Sequence, residues 1–213
     1  MTRVLILTTV LAVTLRSSGV ANDTGKQLAP PVTQPYRMEL LWWPAYCHEH
    51  RSDVGCKTSS RRQFVLGSLL PIVNGTAVSA CVSSQETPKP FYPGNDVLFF
   101  IPDRELARKE WLNYGSCSGL QLAEFFRRVV VEFQRVHIPD EFLSPAEDVV
   151  VSPARLKQDF MSENPKMNIK SIRVKCRGGL LLGVELLIGA ADSSGADCKE
   201  PTVTANVRMP LYE

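Results

Sequence analysis

Lys109-Glu110-Trp111-Leu112-Asn113-Tyr114-Gly115-Ser116-Cys117 is the stretch on which the reading of this chain turns. Asp103 stands before it as a helix cap, and the spacing predicts a helix from there to Asn113 that Gly115 stops. Ser118 offers a cap for a second helix. Behind it Leu122, Phe125, Phe126, Val129, Val130, Phe133 and Val136 recur every three or four residues, the mark of one apolar face, and Pro139 closes the run. Ser152-Pro153 starts a third helix, with Leu156 and Phe160 on a shared face.

The periodicity changes on both sides of this helical middle. Met38 to Trp43 is a short apolar run ended by Pro44, and Phe64 to Val73 is another; both suit buried strands. Residues 83–96 hold Pro88, Pro90, Pro93 and Gly94 and read as loop. After Pro165 the pattern alternates: Ile172, Val174 and Cys176 share one face, Val184, Leu186 and Ile188 another, and Val203 to Val207 predicts a further strand. Strands at both ends around central helices indicate an α+β fold.

The first residues set the compartment. Met1-Thr2-Arg3 precedes about a dozen apolar residues, Val4 to Leu15, and then small residues up to Ala21, the build of a signal peptide. The run is shorter than the roughly 20 residues a membrane helix needs. Residues 1–21 are therefore expected to be removed after Ala21, residues 22–37, with Pro30, Pro31 and Pro35, to form a flexible leader, and residues 38–213 to form one domain. The expected product is secreted, extracellular, free of membrane and monomeric. Loss of Arg3 and Arg16 takes the 24 Lys and Arg to 22, equal to the 22 acids. A neutral chain lacks the broad basic surface of a protein that grips nucleic acid strongly, although a local basic groove remains compatible with it. The six cysteines, Cys47, Cys56, Cys81, Cys117, Cys176 and Cys198, argue for three disulfides in an exported chain. Their number alone does not choose the pairing. Asn74-Gly75-Thr76 is an acceptor pattern for N-glycosylation on an exposed turn.

Three blocks, in order, resemble the ribonuclease T2 family. Leu40-Leu41-Trp42-Trp43-Pro44-Ala45-Tyr46-Cys47 is similar to its opening strand. Phe64-Val65-Leu66-Gly67-Ser68-Leu69-Leu70-Pro71 resembles its first active-site motif, FTIHGLWP, and Lys109 to Cys117 resembles the second, HEWEKHGTC. The resemblance spans about 38 to 205. It implies a central antiparallel sheet packed with helices and the pairs Cys47–Cys56, Cys81–Cys117 and Cys176–Cys198. Ile188 stands where the family often has a cysteine of a fourth bridge.

What the resemblance implies for chemistry is mostly loss. The family drives the ribose 2′-oxygen onto phosphorus to give a cyclic phosphate, using one group to take a proton and another to return it; histidine suits both. Gly67 occupies the first-motif histidine position, Tyr114 the second-motif one, Asn113 that of the lysine before it, and Lys109 that of a further histidine. Glu110 alone keeps its family identity. A phenol is a poor base at neutral pH, and neighbours on a helix point apart, so Lys109 and Glu110 need not converge. The expectation is a catalytically degenerate protein that binds RNA, nucleotides or a protein partner, without cofactor or metal. The alternative is an active endoribonuclease with a site rebuilt from Glu110, Lys109, Tyr114 or the pair His48 and His50.

The remaining histidines and the tryptophans read as structure. His48-Glu49-His50 is expected in a solvated loop between Cys47 and Cys56; a metal site there lacks a third ligand. His137 ends the long helix, where a cation suits the helix dipole. Trp42, Trp43 and Trp111 are expected in the core, not stacked on bases.

Overall fold

The computed structural model describes residues 35–59, 61–74, 76–77, 90–189, 198 and 206–211. Its sheet is organised by β1, Tyr36–Trp42, in which buried and half-buried residues alternate strictly. β1 lies between β2, Phe64–Val73, and β6, Leu180–Ile188, and is antiparallel to both. β3, Thr76–Ala77, extends the β2 edge. β5, Ile172–Arg177, turns into β6 through Gly178 and Gly179, both at positive φ. β4, Val149–Val151, pairs with β7, Val207–Met209. The central strands are antiparallel, as expected; at the rim β7 joins β6 in parallel at Leu180 and Arg208. The predicted closing strand, Val203 to Val207, begins later than expected, at Val207; residues 203–205 lie outside the described residues.

One face of the sheet meets the helices. Met38, Leu40 and Trp42 of β1, Phe64 and Leu66 of β2, and Leu181, Val184 and Leu186 of β6 are all but inaccessible to water. Against them pack Trp111 of α4 (Arg104–Asn113), Phe126 and Val129 of α5 (Leu122–Gln134), and Leu156 and Phe160 of α6 (Pro153–Glu163). The three tryptophans are core, as expected. Two short helices, α1 (Trp43–Glu49) and α2 (Val54–Thr58), follow β1, and α3 (Asn95–Phe100) precedes α4. Among the described residues no helix is long and apolar enough to cross a membrane.

Local chemistry explains most boundaries. The Asp103 carboxylate accepts from Leu106 N at 2.9 Å and so caps α4. Ser152 does the same for α6, accepting from Arg155 N at 3.1 Å. Ser118 does not cap α5, contrary to expectation. Its hydroxyl donates to Gly115 O at 2.6 Å and accepts from Leu120 N, which closes a 3-10 turn, and α5 starts only after Gln121. Gly115 also acts differently from a left-handed helix stop. Its φ is not positive; a Cβ there would lie 2.4 Å from the Trp111 ring and 2.9 Å from Phe125, so glycine is required by close packing.

Pro44 in the first turn of α1 fits a helix start, where a missing N–H costs nothing. Consequently His48 lies on a helix and His50 caps it, not in the loop that the sequence suggested. β1 begins at Tyr36, inside the segment read as leader. Tyr36 is buried, and its hydroxyl donates to Glu132 of α5 at 2.6 Å. Disulfides join Cys47 to Cys56 and Cys176 to Cys198, as the resemblance implied. Cys81 and the Cys117 side chain, and with them the third pair, lie outside what is described, as do residues 1–34.

Candidate functional site

The face of the sheet turned away from the helical core is polar. In β1 the alternation that buries Met38 and Leu40 sends Arg37, Glu39 and Leu41 to this side, half-buried. Lys175 of β5 bonds Glu39 and lies 3.7 Å from Glu185 of β6, which in turn holds Arg173 at 2.8 Å. The Ser68 hydroxyl reaches Glu39 at 3.3 Å. Lys175 and Arg173 each sit against a carboxylate.

Gly67 lies on β2 at a bulge. Glu39 pairs with Ser68 and Leu40 with Leu66, so Gly67 is the extra residue. A Cβ at this position would come within 2.7 Å of Leu41 Cγ and 3.0 Å of its Cδ1. The Leu41 side chain therefore occupies the space that a side chain at 67 would enter first.

Glu110 faces inward from α4. It is 2 % exposed, and its Oε1 accepts from Leu69 N at 2.8 Å. That N–H belongs to the side of β2 that has no strand partner at this point, so the carboxyl group satisfies an edge donor. Burial pushes the Glu110 carboxyl up to about 8; the Leu69 hydrogen bond opposes this and the nearby Glu39 adds to it. Lys109 and Asn113 lie on the exposed side of the same helix. Tyr114 is half-buried at the end of α4, its phenol raised above its ordinary value by burial first and then by Glu110. Glu39 adds to that rise and Arg37 opposes it.

A cleft of about 270 Å³ opens beside Gly67. Glu39, Leu41 and Lys175 form its sheet side with Leu182, and Tyr46, Glu49 and His50 close it from α1. Glu110 and Tyr114 do not line it. His50 is fixed by stacking on Tyr46 at 4.1 Å between ring centroids, and Tyr46 stacks on Trp43 at 5.1 Å. The Tyr46 hydroxyl donates to Asp53 at 2.8 Å. His48 is exposed and on a different side of the helix, because residues two apart diverge by more than half a turn. Among the described residues no three His, Cys, Asp or Glu side chains converge to hold a metal. His137 is exposed beyond the end of α5, its backbone N–H donating to Asn164 Oδ1 at 2.9 Å.

The structure thus separates residues that one motif put side by side, and brings in residues that motif reading missed. Glu39 and Leu41 were legible from the β1 alternation, and Lys175 from that of β5. Sequence reading names His50 with His48 for a rebuilt site, but its place beside Gly67 was not legible, because it depends on α1 folding back over the sheet.

No protein-family model matches the sequence, and no curated protein matches it. Solved structures do. The chain is similar to trichomaglin, described as an S-like ribonuclease, with a TM-score of 0.61 and 14% identity over 84% of this chain and 99% of that one. It is similar to ribonuclease MC1 from bitter gourd seeds (TM-score 0.56, 16% identity, 82% of this chain and 98% of that one). A further likeness is to an RNase-related protein from Calystegia sepium (0.53, 18%, 83% and 97%). Agreement over nearly the full length of each of these chains is agreement in topology. The fold of this chain is that of the T2-type ribonucleases.

Proposed function

We propose that this is an exported T2-fold protein that does not cleave RNA and acts by binding a partner. The observation that carries the proposal is the state of position 67. Glycine offers no proton-transfer group, and Leu41 fills the adjoining space. Opening a phosphodiester needs a proton acceptor and a proton donor, each worth about 10²–10⁴-fold. Glu110, the retained family residue, is engaged with the Leu69 amide and held away from the cleft. The apolar leading segment and the disulfides that have formed support export. Asn74, exposed on the turn after β2, is the residue we propose as glycosylated.

The test is incubation of the purified full chain with generic RNA from pH 4 to 8. No cleavage above the protein-free control is expected. Robust cleavage that follows the protein through purification would overturn the reading.

One observation favours the second reading, an active endoribonuclease with a rebuilt site. His50, Glu39 and Lys175 line the cleft at Gly67, an imidazole, a carboxylate and a cation together. Under that reading His50→Phe abolishes the cleavage. Mutants of ribonuclease MC1 have been solved with 5′-UMP and with 5′-GMP, which makes a nucleotide the first anionic ligand to try in the same experiment.

A further inference from the structure

The polar atoms of the cleft differ in kind from those a phosphate requires. His50 Nδ1 lies 2.9 Å from Tyr46 O. A carbonyl oxygen only accepts, so Nδ1 carries the hydrogen, and in the neutral ring Nε2 keeps its lone pair. The Tyr46 stack holds the ring in this orientation. Glu49 adds a carboxylate, held by Arg177 at 2.6 Å across an exposed contact that a competing cation can replace. The one donor side chain in the lining with a full charge, Lys175, is committed to Glu39 and Glu185. Leu41, Leu106 and Leu182 make the remainder apolar. A phosphate brings negative charge and acceptors to a place that already supplies both.

Size points the same way. The volume of about 270 Å³ is just below the range of roughly 300–1,000 Å³ typical of small-molecule pockets. It suits one long side chain better than a run of nucleotides. An aliphatic stem with a cationic, hydrogen-bond-donating head matches the lining at both ends: methylenes against the leucines, the head against Glu49 and His50.

We propose that this cleft is a socket for an arginine side chain of a partner protein, with Glu49 and His50 Nε2 receiving the guanidinium. Planarity and a fork of donors distinguish guanidinium from ammonium, and the Tyr46–His50 stack presents a flat edge to it. The proposal rests on the binding role argued above and names the chemistry of the partner.

The experiment uses the full chain and a blocked Leu-Arg-Leu tripeptide, followed through the NMR signals of the His50 ring at neutral pH. Saturable shifts are expected, with affinity lowered about tenfold or more by Glu49→Gln and by His50→Phe, which keeps a stacking ring and removes the acceptor. Amide spectra of both variants report whether each is folded, and Glu49, on the surface, gives the safer arm. Unchanged affinity in folded variants would overturn the socket, as would an absence of shifts. If 5′-UMP moves the same signals at lower concentration than the tripeptide, the cleft is a nucleotide site and the proposal fails. If n-butylguanidine binds as tightly as the peptide, the ligand is a free small cation and the protein partner falls. RNA cleavage in the earlier assay would sink the non-catalytic reading instead, so the two failures are told apart.

Discussion

A buried carboxyl group gives the clearest consequence at the scale of single residues. Burial pushes the Glu110 carboxyl of the folded chain up to about 8, well above the ordinary carboxylate range. Its protonated form is therefore favoured by folding. The associated stability is complete below about pH 4.5 and is lost as pH rises toward 8, by up to ~1.4 kcal/mol per pH unit. Urea unfolding across pH 4.5–8 is expected to show this decline in the wild type and a shallower one in Glu110→Gln, which still offers an acceptor to Leu69 N–H. Equal slopes would mean that the carboxyl group is hydrated. At position 67 the crowding by Leu41 predicts that Gly67→His destabilises by about 1–3 kcal/mol. Leu41→Ala in the same chain should recover part of that loss, a coupling that a double-mutant cycle measures.

The sequence resemblance singled out Glu110, whereas its engagement with Leu69 was not readable there. The motif says which residues adjoin along the chain; the direction of a helix face depends on what the helix packs against. Asp103 shows the same division at the scale of elements. Its role as the cap of α4 follows from sequence, but one of its oxygens also accepts from Gly55 N of α2 at 2.9 Å. Asp103→Ala therefore removes a helix cap and an inter-element bond together, and should cost about 2–3 kcal/mol. Ser152→Ala, which removes only the cap of α6, should cost about 1 kcal/mol. Denaturant midpoints of the two variants check the difference, and equal losses would show that the bond to α2 contributes nothing. His50 was misplaced for a related reason. Pro44 was read as the end of a strand and is also the first turn of α1, a position at which proline serves either purpose.

The two described disulfides bear on the whole molecule. Cys47–Cys56 closes a loop of 9 residues and Cys176–Cys198 one of 22. Loop-closure entropy makes the second more stabilising by about 0.8 kcal/mol, so replacing its cysteines with alanine should lower stability more than replacing the first pair. Thermal unfolding of the two double-alanine variants tests the order. The proposed absence of catalysis is also a question for the whole fold. Gly67→His, Asn113→Lys and Tyr114→His would supply the residues that the sequence resemblance implies for those positions. Because Leu41 blocks the first of them, activity on RNA is expected only when Leu41→Ala is added. A silent quadruple variant would mean that the cleft no longer accepts the substrate.

What the chain determined by itself was its class and its framework: strand alternation, helix periodicity, caps and cysteines are local or nearly local signals, and a hydrophobic face has to be buried wherever it ends up. Tertiary structure alone decided that Glu110 turns to a sheet edge, that Leu41 fills the space above Gly67, and that His50 joins Glu39 and Lys175 around one cleft. Those relations join residues far apart in the chain, and the reason is steric: the direction of a side chain and the room it finds are set by neighbours that only folding supplies.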